Sequence, residues 1–131
     1  MPYTELIEEG AYIAQGVVPA VWTPATTYGA VVDMEVYRRL AHIVNLGVMV
    51  TNATLTFTIC EGATNTPTTE TSKTVTFTEA GGDGSEVYTL EISAEELAAG
   101  SKYVRAKYVL GVANAAFGVV NVATQPRYKP A

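Results

Sequence analysis

One histidine, one cysteine and three neighbouring glutamates are the residues whose types could do chemistry in this chain. His42 could act as a general base, but a base needs a nucleophile and an orienting acid within hydrogen-bond reach. No Ser or Asp near it has the spacing of a triad. Cys60 lies between Ile59 and Glu61, with no lysine or helix start beside it to favour the thiolate, and reads as an inert thiol. Hydrolysis of a glycoside needs two carboxylates held close together, for which Glu91, Glu95 and Glu96 are the candidates. Glu96 is read instead as a helix cap and Glu95 as an acid at the positive end of that helix. Gly81-Gly82-Asp83-Gly84 has neither the Lys-Ser/Thr of a phosphate loop nor the spaced carboxylates of a calcium loop, and reads as a turn. Asn52-Ala53-Thr54 matches a glycosylation acceptor without a secretory signal, and also reads as a turn. A single His and a single Cys exclude a His-rich metal set and an internal disulfide. The expectation is therefore no catalytic residue, no cofactor and no metal: the chain is not an enzyme.

The elements around these residues are β-strands. Leu55, Phe57 and Ile59 alternate with Thr56, Thr58 and Cys60, which puts Cys60 on the more polar face. Val75 and Phe77 repeat the pattern within Thr74 to Thr78, and further strands are expected at 30–34, 37–46, 87–92, 102–110 and 116–123. The Thr-rich stretch from Gly62 to Ser72, with Pro67, is expected to be an exposed loop or an edge. Ser93-Ala-Glu-Glu-Leu-Ala-Ala-Gly100 is the one helix expected, about two turns long, capped by Ser93 and Glu96 and left through Gly100. Short strands at close spacing indicate an all-β, single-domain β-sandwich or jelly roll over residues 29–124.

At 131 residues one domain is expected, with a core large enough to need no staple. Hydrophobic residues make up 48% of the chain and charged residues 16%, a low charge for a free surface, so part of that surface is expected to be covered by a partner. A net charge of −5 argues against a phosphate-backbone ligand. The acidic first residues lack a signal peptide's basic start, and no apolar run is long enough to span a bilayer, so a soluble protein made in a reducing cytoplasm is expected.

Residues 1–28 lack strand periodicity and are punctuated by Gly10, Gly16, Pro19 and Pro24, yet they are too apolar for a disordered tail. They are read as an extended arm lying on a surface, its own or a neighbour's, that serves binding more than folding. Tyr3, Leu6, Ile7, Tyr12 and Trp22 are its candidate interface anchors, with Tyr28 beside them. Residues 125–131 form an extended C-terminal tail in which Arg127, Tyr128 and Lys129 complete the interface candidates. Residues 1–37 hold five acids and no Lys or Arg, whereas residues 97–131 hold five bases and no acid. The two ends are expected to meet in contacts between chains.

Four blocks carry a resemblance: Val32-Asp-Met-Glu-Val-Tyr-Arg-Arg39, Ala98-Ala-Gly-Ser-Lys-Tyr-Val-Arg-Ala106, Gly118-Val119-Val120, and Pro126-Arg-Tyr-Lys-Pro130. Together they make the chain similar to the head decoration, or cement, proteins of tailed bacteriophages, over about residues 29–130 and not over the first 28. The resemblance implies a β-rich virion subunit that binds the outside of the mature head and stabilises it. Its partners would be the major capsid protein and copies of itself, with a trimer favoured and no nucleic acid or membrane. Two rival readings stand beside it: a tail or head-completion subunit, and a carbohydrate-binding module using Trp22, Tyr103 or Tyr108 as stacking platforms.

Overall fold

Two antiparallel sheets face each other, and the alternation of apolar and polar residues decides which side of each strand lies between them. The structure, a computed structural model, describes residues 11–80, 82 and 84–126. Its strands are β1 (Ala11–Trp22), β2 (Ala25–Tyr28), β3 (Val32–Asp33), β4 (Tyr37–Met49), β5 (Thr54–Gly62), β6 (Thr69–Thr78), β7 (Glu86–Ser93), β8 (Tyr103–Gly111) and β9 (Ala115–Pro126). One sheet runs β1-β9-β4-β7 and the other β2-β8-β5-β6, with β3 also paired to β8. The pairs β1·β9, β2·β8, β4·β7 and β5·β6 are nested as in one long antiparallel hairpin. Wrapping that hairpin adds the pairs β4·β9 and β5·β8. This is a jelly roll, the expected all-β sandwich.

The core comes from the inward rows. Leu40, Val44 and Leu46 of β4 meet Leu55, Phe57 and Ile59 of β5 across the space between the sheets, closed by Tyr108, Phe117 and Val119. On β5 the alternation read from sequence is the one observed. Thr56 and Thr58 face out and bond the hydroxyls of Thr76 and Thr74 on β6, at 3.2 and 3.0 Å.

The structure departs from the sequence reading in three places, the smallest being that positions 125 and 126, read as the start of a C-terminal tail, end the central strand β9, with Pro126 opposite Tyr37. The segment expected as an arm enters the sandwich: Ala11–Trp22 is a strand paired with β9, and Ala25–Tyr28 pairs with β8. Its period of two is hidden by two register shifts, between Gln15 and Val17 and between Val17 and Ala20. Gly16 is required at the first, because a Cβ there would come 2.7 Å from Asn121 Oδ1. At the second, Pro19 folds over Gly118, whose own Cβ would meet it at 2.8 Å.

The expected two-turn helix is a single 3₁₀ turn, Ala94–Glu96. Glu96 does reach back to the cap, accepting from the Ser93 backbone N–H at 2.7 Å and its hydroxyl at 3.2 Å. Leu97 then returns to an extended conformation and packs on the core, while the Ala98 N–H donates to the buried Glu61 carboxylate at 3.0 Å. The Glu61 carboxylate thus takes the Ala98 N–H that a second helical turn would have used.

Candidate functional site

Of the residues that could do chemistry, His42 and Cys60 are buried, whereas Glu91, Glu95 and Glu96 are exposed. His42 points between the sheets from β4 and is buried. Its Nδ1 bonds Asn121 Oδ1 at 2.7 Å and its ring stands edge-on to Phe57, which stacks on Tyr108. With Asn121 supplying an acceptor, the neutral ring carries its proton on Nδ1, and Nε2 faces the core without a partner among the described residues. Burial pulls the His42 pKa down from 6.5 to about 4, against a smaller opposing effect of the Asn121 bond. A neutral, sealed imidazole packs; it does not exchange protons with a ligand.

Tyr108 shares this environment. Its hydroxyl is buried with no partner among the described residues, and burial pushes its pKa well up. An unsatisfied buried hydroxyl costs about 1–3 kcal/mol. Tyr108→Phe is therefore expected to stabilise the fold by about 1 kcal/mol, read as a higher urea midpoint at unchanged slope. A lower midpoint would show that the hydroxyl is bonded to an internal water.

Cys60 lies on the outer row of its sheet opposite Arg105 and Glu70, yet is buried beneath them. Burial is the largest effect on its thiol and raises the pKa, with Glu70 adding and Lys107 and Arg105 opposing. Glu91 is exposed on the other sheet, and Glu96 is occupied by Ser93 and by Lys73 Nζ at 3.0 Å. A polar cleft of about 340 Å³ lined by Arg39, Lys73, Glu91, Ser93 and Glu96 therefore brings two of the three candidate glutamates together, one of them already bonded by Ser93 and Lys73. Among the described residues no three His, Cys, Asp or Glu side chains converge, and no helix is long and apolar enough to cross a membrane.

Of the interface candidates, Tyr12 and Trp22 are among the described residues, and they lie toward opposite ends of β1. Tyr12 is half exposed and stacks on Tyr37 at one end of β1, while Trp22 at the other end lies against Phe117 and donates from Nε1 to the Val18 carbonyl. Tyr3, Leu6, Ile7, Arg127, Tyr128 and Lys129 lie outside the described residues. The expected meeting of acidic and basic ends has one described counterpart, and it is within the chain: Lys102 Nζ is 3.6 Å from Glu35. Of the three sugar platforms read from sequence, Tyr108 is buried and Trp22 is packed on its own sheet, which leaves Tyr103 of the three.

Two surfaces not singled out in the sequence are more informative. The first is the end of the sandwich where β1 finishes, β4 turns to β5 and β8 turns to β9. There Val48 and Val112 are 73% and 75% exposed, with Val21 and Val50 also exposed. The Val50 N–H donates to the Asn114 carbonyl, which ties the two turns together. Val112 has φ of +70° and is spanned by a bond from the Ala113 N–H to the Gly111 carbonyl, a strained γ-turn that a β-branched residue rarely occupies. The turn thus spends strain to display an apolar side chain to water.

The second surface is the outer face of β1-β9-β4-β7. Opposite residues in an antiparallel pair share a face, so the rows read Ile13–Val122–Ala41–Glu91, then Gln15–Val120–Ile43–Thr89, then Gly118–Asn45–Val87. Valine, isoleucine, alanine and glycine dominate. The outer face of the other sheet instead carries Thr54, Thr56, Thr58 and Thr74 beside Lys107 and Arg105. The signal for the first face was present in the sequence as apolar residues at both parities of 40–48 and 116–123.

No family model and no curated protein matches the chain. Among solved structures it is similar to the VP2 subviral particle of infectious bursal disease virus, with a TM-score of 0.55 at 14% identity, covering 88% of this chain and 32% of that one. The chain thus spans about a third of the VP2 length, and the likeness shows a shared fold. It also aligns with a disulfide-linked pilus of Bacillus endospore appendages, with a TM-score of 0.41 at 18% identity over 95% of this chain and 98% of that one.

Proposed function

We propose that the chain is a virion structural subunit and, more narrowly, a decoration protein that binds the outside of a tailed-phage head and reinforces it without enzymatic activity. Its partners in this reading are the major capsid protein and copies of itself. The observation that carries the proposal is the valine-bearing end of the sandwich: Val112 is held in a strained turn and exposed beside Val48, although the fold needs neither side chain in that position. Exposed apolar area is covered if the end seats against a partner, and the strained turn fixes where the Val112 side chain is presented. The jelly-roll fold is one that viral coats use repeatedly, and the fold neighbour is itself the protein of a subviral particle. Reinforcement then follows from mass action, because a protein that binds assembled heads and not free subunits stabilises assembly.

The test is to add purified protein to expanded heads lacking it and to separate capsid subunits, and to follow co-sedimentation and head melting. Saturable binding to heads alone, with a raised melting temperature, is expected. Binding confined to tails, or to neither, would refute the assignment.

Val112→Gly makes the reading sharper because it should act in opposite directions on the fold and on attachment. Glycine adopts positive φ without strain, so relief of about 1–2 kcal/mol outweighs its larger unfolded-state entropy and the isolated protein should be more stable by up to about 1 kcal/mol. Head binding should weaken several-fold. Unchanged binding would remove Val112 from the attachment surface.

A further inference from the structure

We infer that the outer face of the β1-β9-β4-β7 sheet packs face to face on the same sheet of a second copy, around a two-fold axis that crosses the strands at the row of Ile43 and Val120. The inference stands apart from the capsid reading, since it concerns the protein alone.

Three observations commit the face to a second copy. The first is charge. The described residues carry acids and bases over the rest of the surface, but the charged residues in the rows of this face are Arg39 and Glu91, one of each sign and both near one end, where Lys73 and Glu96 line the same cleft and keep the signs balanced. A partner must then be flat, apolar and almost uncharged, which this face itself is. The chain's net charge of −5 opposes self-association in general, and least through a face that brings few like charges together.

The second is shape. At one end of the face Ile13 and Val122 stand up from the sheet. At the other end is an open apolar hollow of about 350 Å³ lined by Pro19, Val21, Asn45, Gly47, Ala116 and Gly118. A two-fold axis across the strands reverses the second copy end for end, which brings Val122 of each over Gly118 of the other, and Ile13 over Pro19. Self-complementary patches of this kind are what a closed two-fold dimer requires.

The third is area. Four strands about 4.8 Å apart and some eight residues at about 3.3 Å per residue give roughly 500 Å² per copy. Two copies would bury about 1,000 Å², the lower range for a specific contact, so the dimer is expected to dissociate in the micromolar range. Stacked sheets pack about 10 Å apart, close enough for these short side chains to interdigitate.

The experiment is sedimentation equilibrium of the full chain over a micromolar concentration series. The wild type should show a monomer–dimer equilibrium, and Ile43→Lys, an outward substitution, should be monomeric with an unchanged circular dichroism spectrum. A wild type that stays monomeric, or that forms a trimer, overturns the inference, as does a folded Ile43→Lys that still dimerises. Should Ile43→Lys not fold, Gln15 decides, because it is exposed on the edge strand β1 and lies in the row that faces itself across the axis. Gln15→Lys and Gln15→Glu should each dimerise several-fold more weakly than wild type, and an equimolar mixture more tightly than either alone. A mixture no tighter than its components shows that the position does not meet its own copy, and the two-fold packing is then wrong.

Discussion

Between pH 6.5 and about 4 the protein is expected to lose about 3 kcal/mol of stability through His42 alone. The folded state holds this ring neutral down to about pH 4, whereas in the unfolded chain it protonates near 6.5. Across that window the unfolded state binds more protons, so stability falls as pH falls, and below about 4 both states are protonated and this loss levels off. The physical cause is burial: a charged imidazole would sit between Asn121 and the Phe57 ring with Nε2–H facing an apolar core.

Carboxylates contribute in a different window. Glu96 is held below its usual pKa first by the Ser93 backbone N–H and then by Lys73, so its contribution is present above its unfolded pKa of 4.5 and is lost only as pH falls below that. Urea titrations at a series of pH values separate the two. The loss from pH 6.5 to 4.5 should vanish in the double variant His42→Leu/Asn121→Val, which replaces both members of the buried pair by apolar groups of similar size. If the double variant keeps the same slope over that range, His42 is not its source. For a virion subunit the consequence would be a shell component that weakens in mildly acid surroundings before its carboxylates titrate.

What could be read from sequence depended on whether a strand keeps its period. On β5, Leu55, Phe57 and Ile59 alternate with Thr without interruption, and the structure gives the same faces. On β7, Leu90 and Ile92 face inward as the alternation of 87–92 indicates. On β1, two bulges within five residues shift the parity twice, so Val17 points inward and Val21 outward with no constant period between them. On β4 and β9 both faces are apolar, because one meets the core and the other is free, and alternation then says nothing about which is which. The same property hid the candidate dimer face. Val112 was invisible for another reason: a positive φ at valine is a tertiary outcome, produced where Val50 and Asn114 tie two turns together. The helix at 93–100 failed because a capping box specifies a start and not a length, and Leu97 and Glu61 supplied competing partners.

Removal of residues 1–22 is expected to abolish cooperative folding, not merely attachment. Read from sequence, these residues belonged to an arm that a sandwich could lose. In the structure β1 supplies the buried Val17, covers Phe117 with Trp22, and holds Ala30 through the Gly16 carbonyl at 2.9 Å. Its loss would also leave one side of β9 without hydrogen-bond partners from Ala115 to Thr124, in the strand that carries Asn121 against His42. Full burial of a valine stabilises by roughly 1.5–3 kcal/mol, and exposure of the Phe117 side chain and a new unpaired edge add to that. The sum is several kcal/mol, comparable with the whole stability of a domain this size. Circular dichroism and urea denaturation of the truncated chain should therefore show no sharp transition, and the new edge should make it prone to aggregate. A truncated chain with a cooperative transition close to that of the full protein would mean that the sheet is complete with the three strands β9, β4 and β7, and that β1 is docked on the sandwich without being part of it.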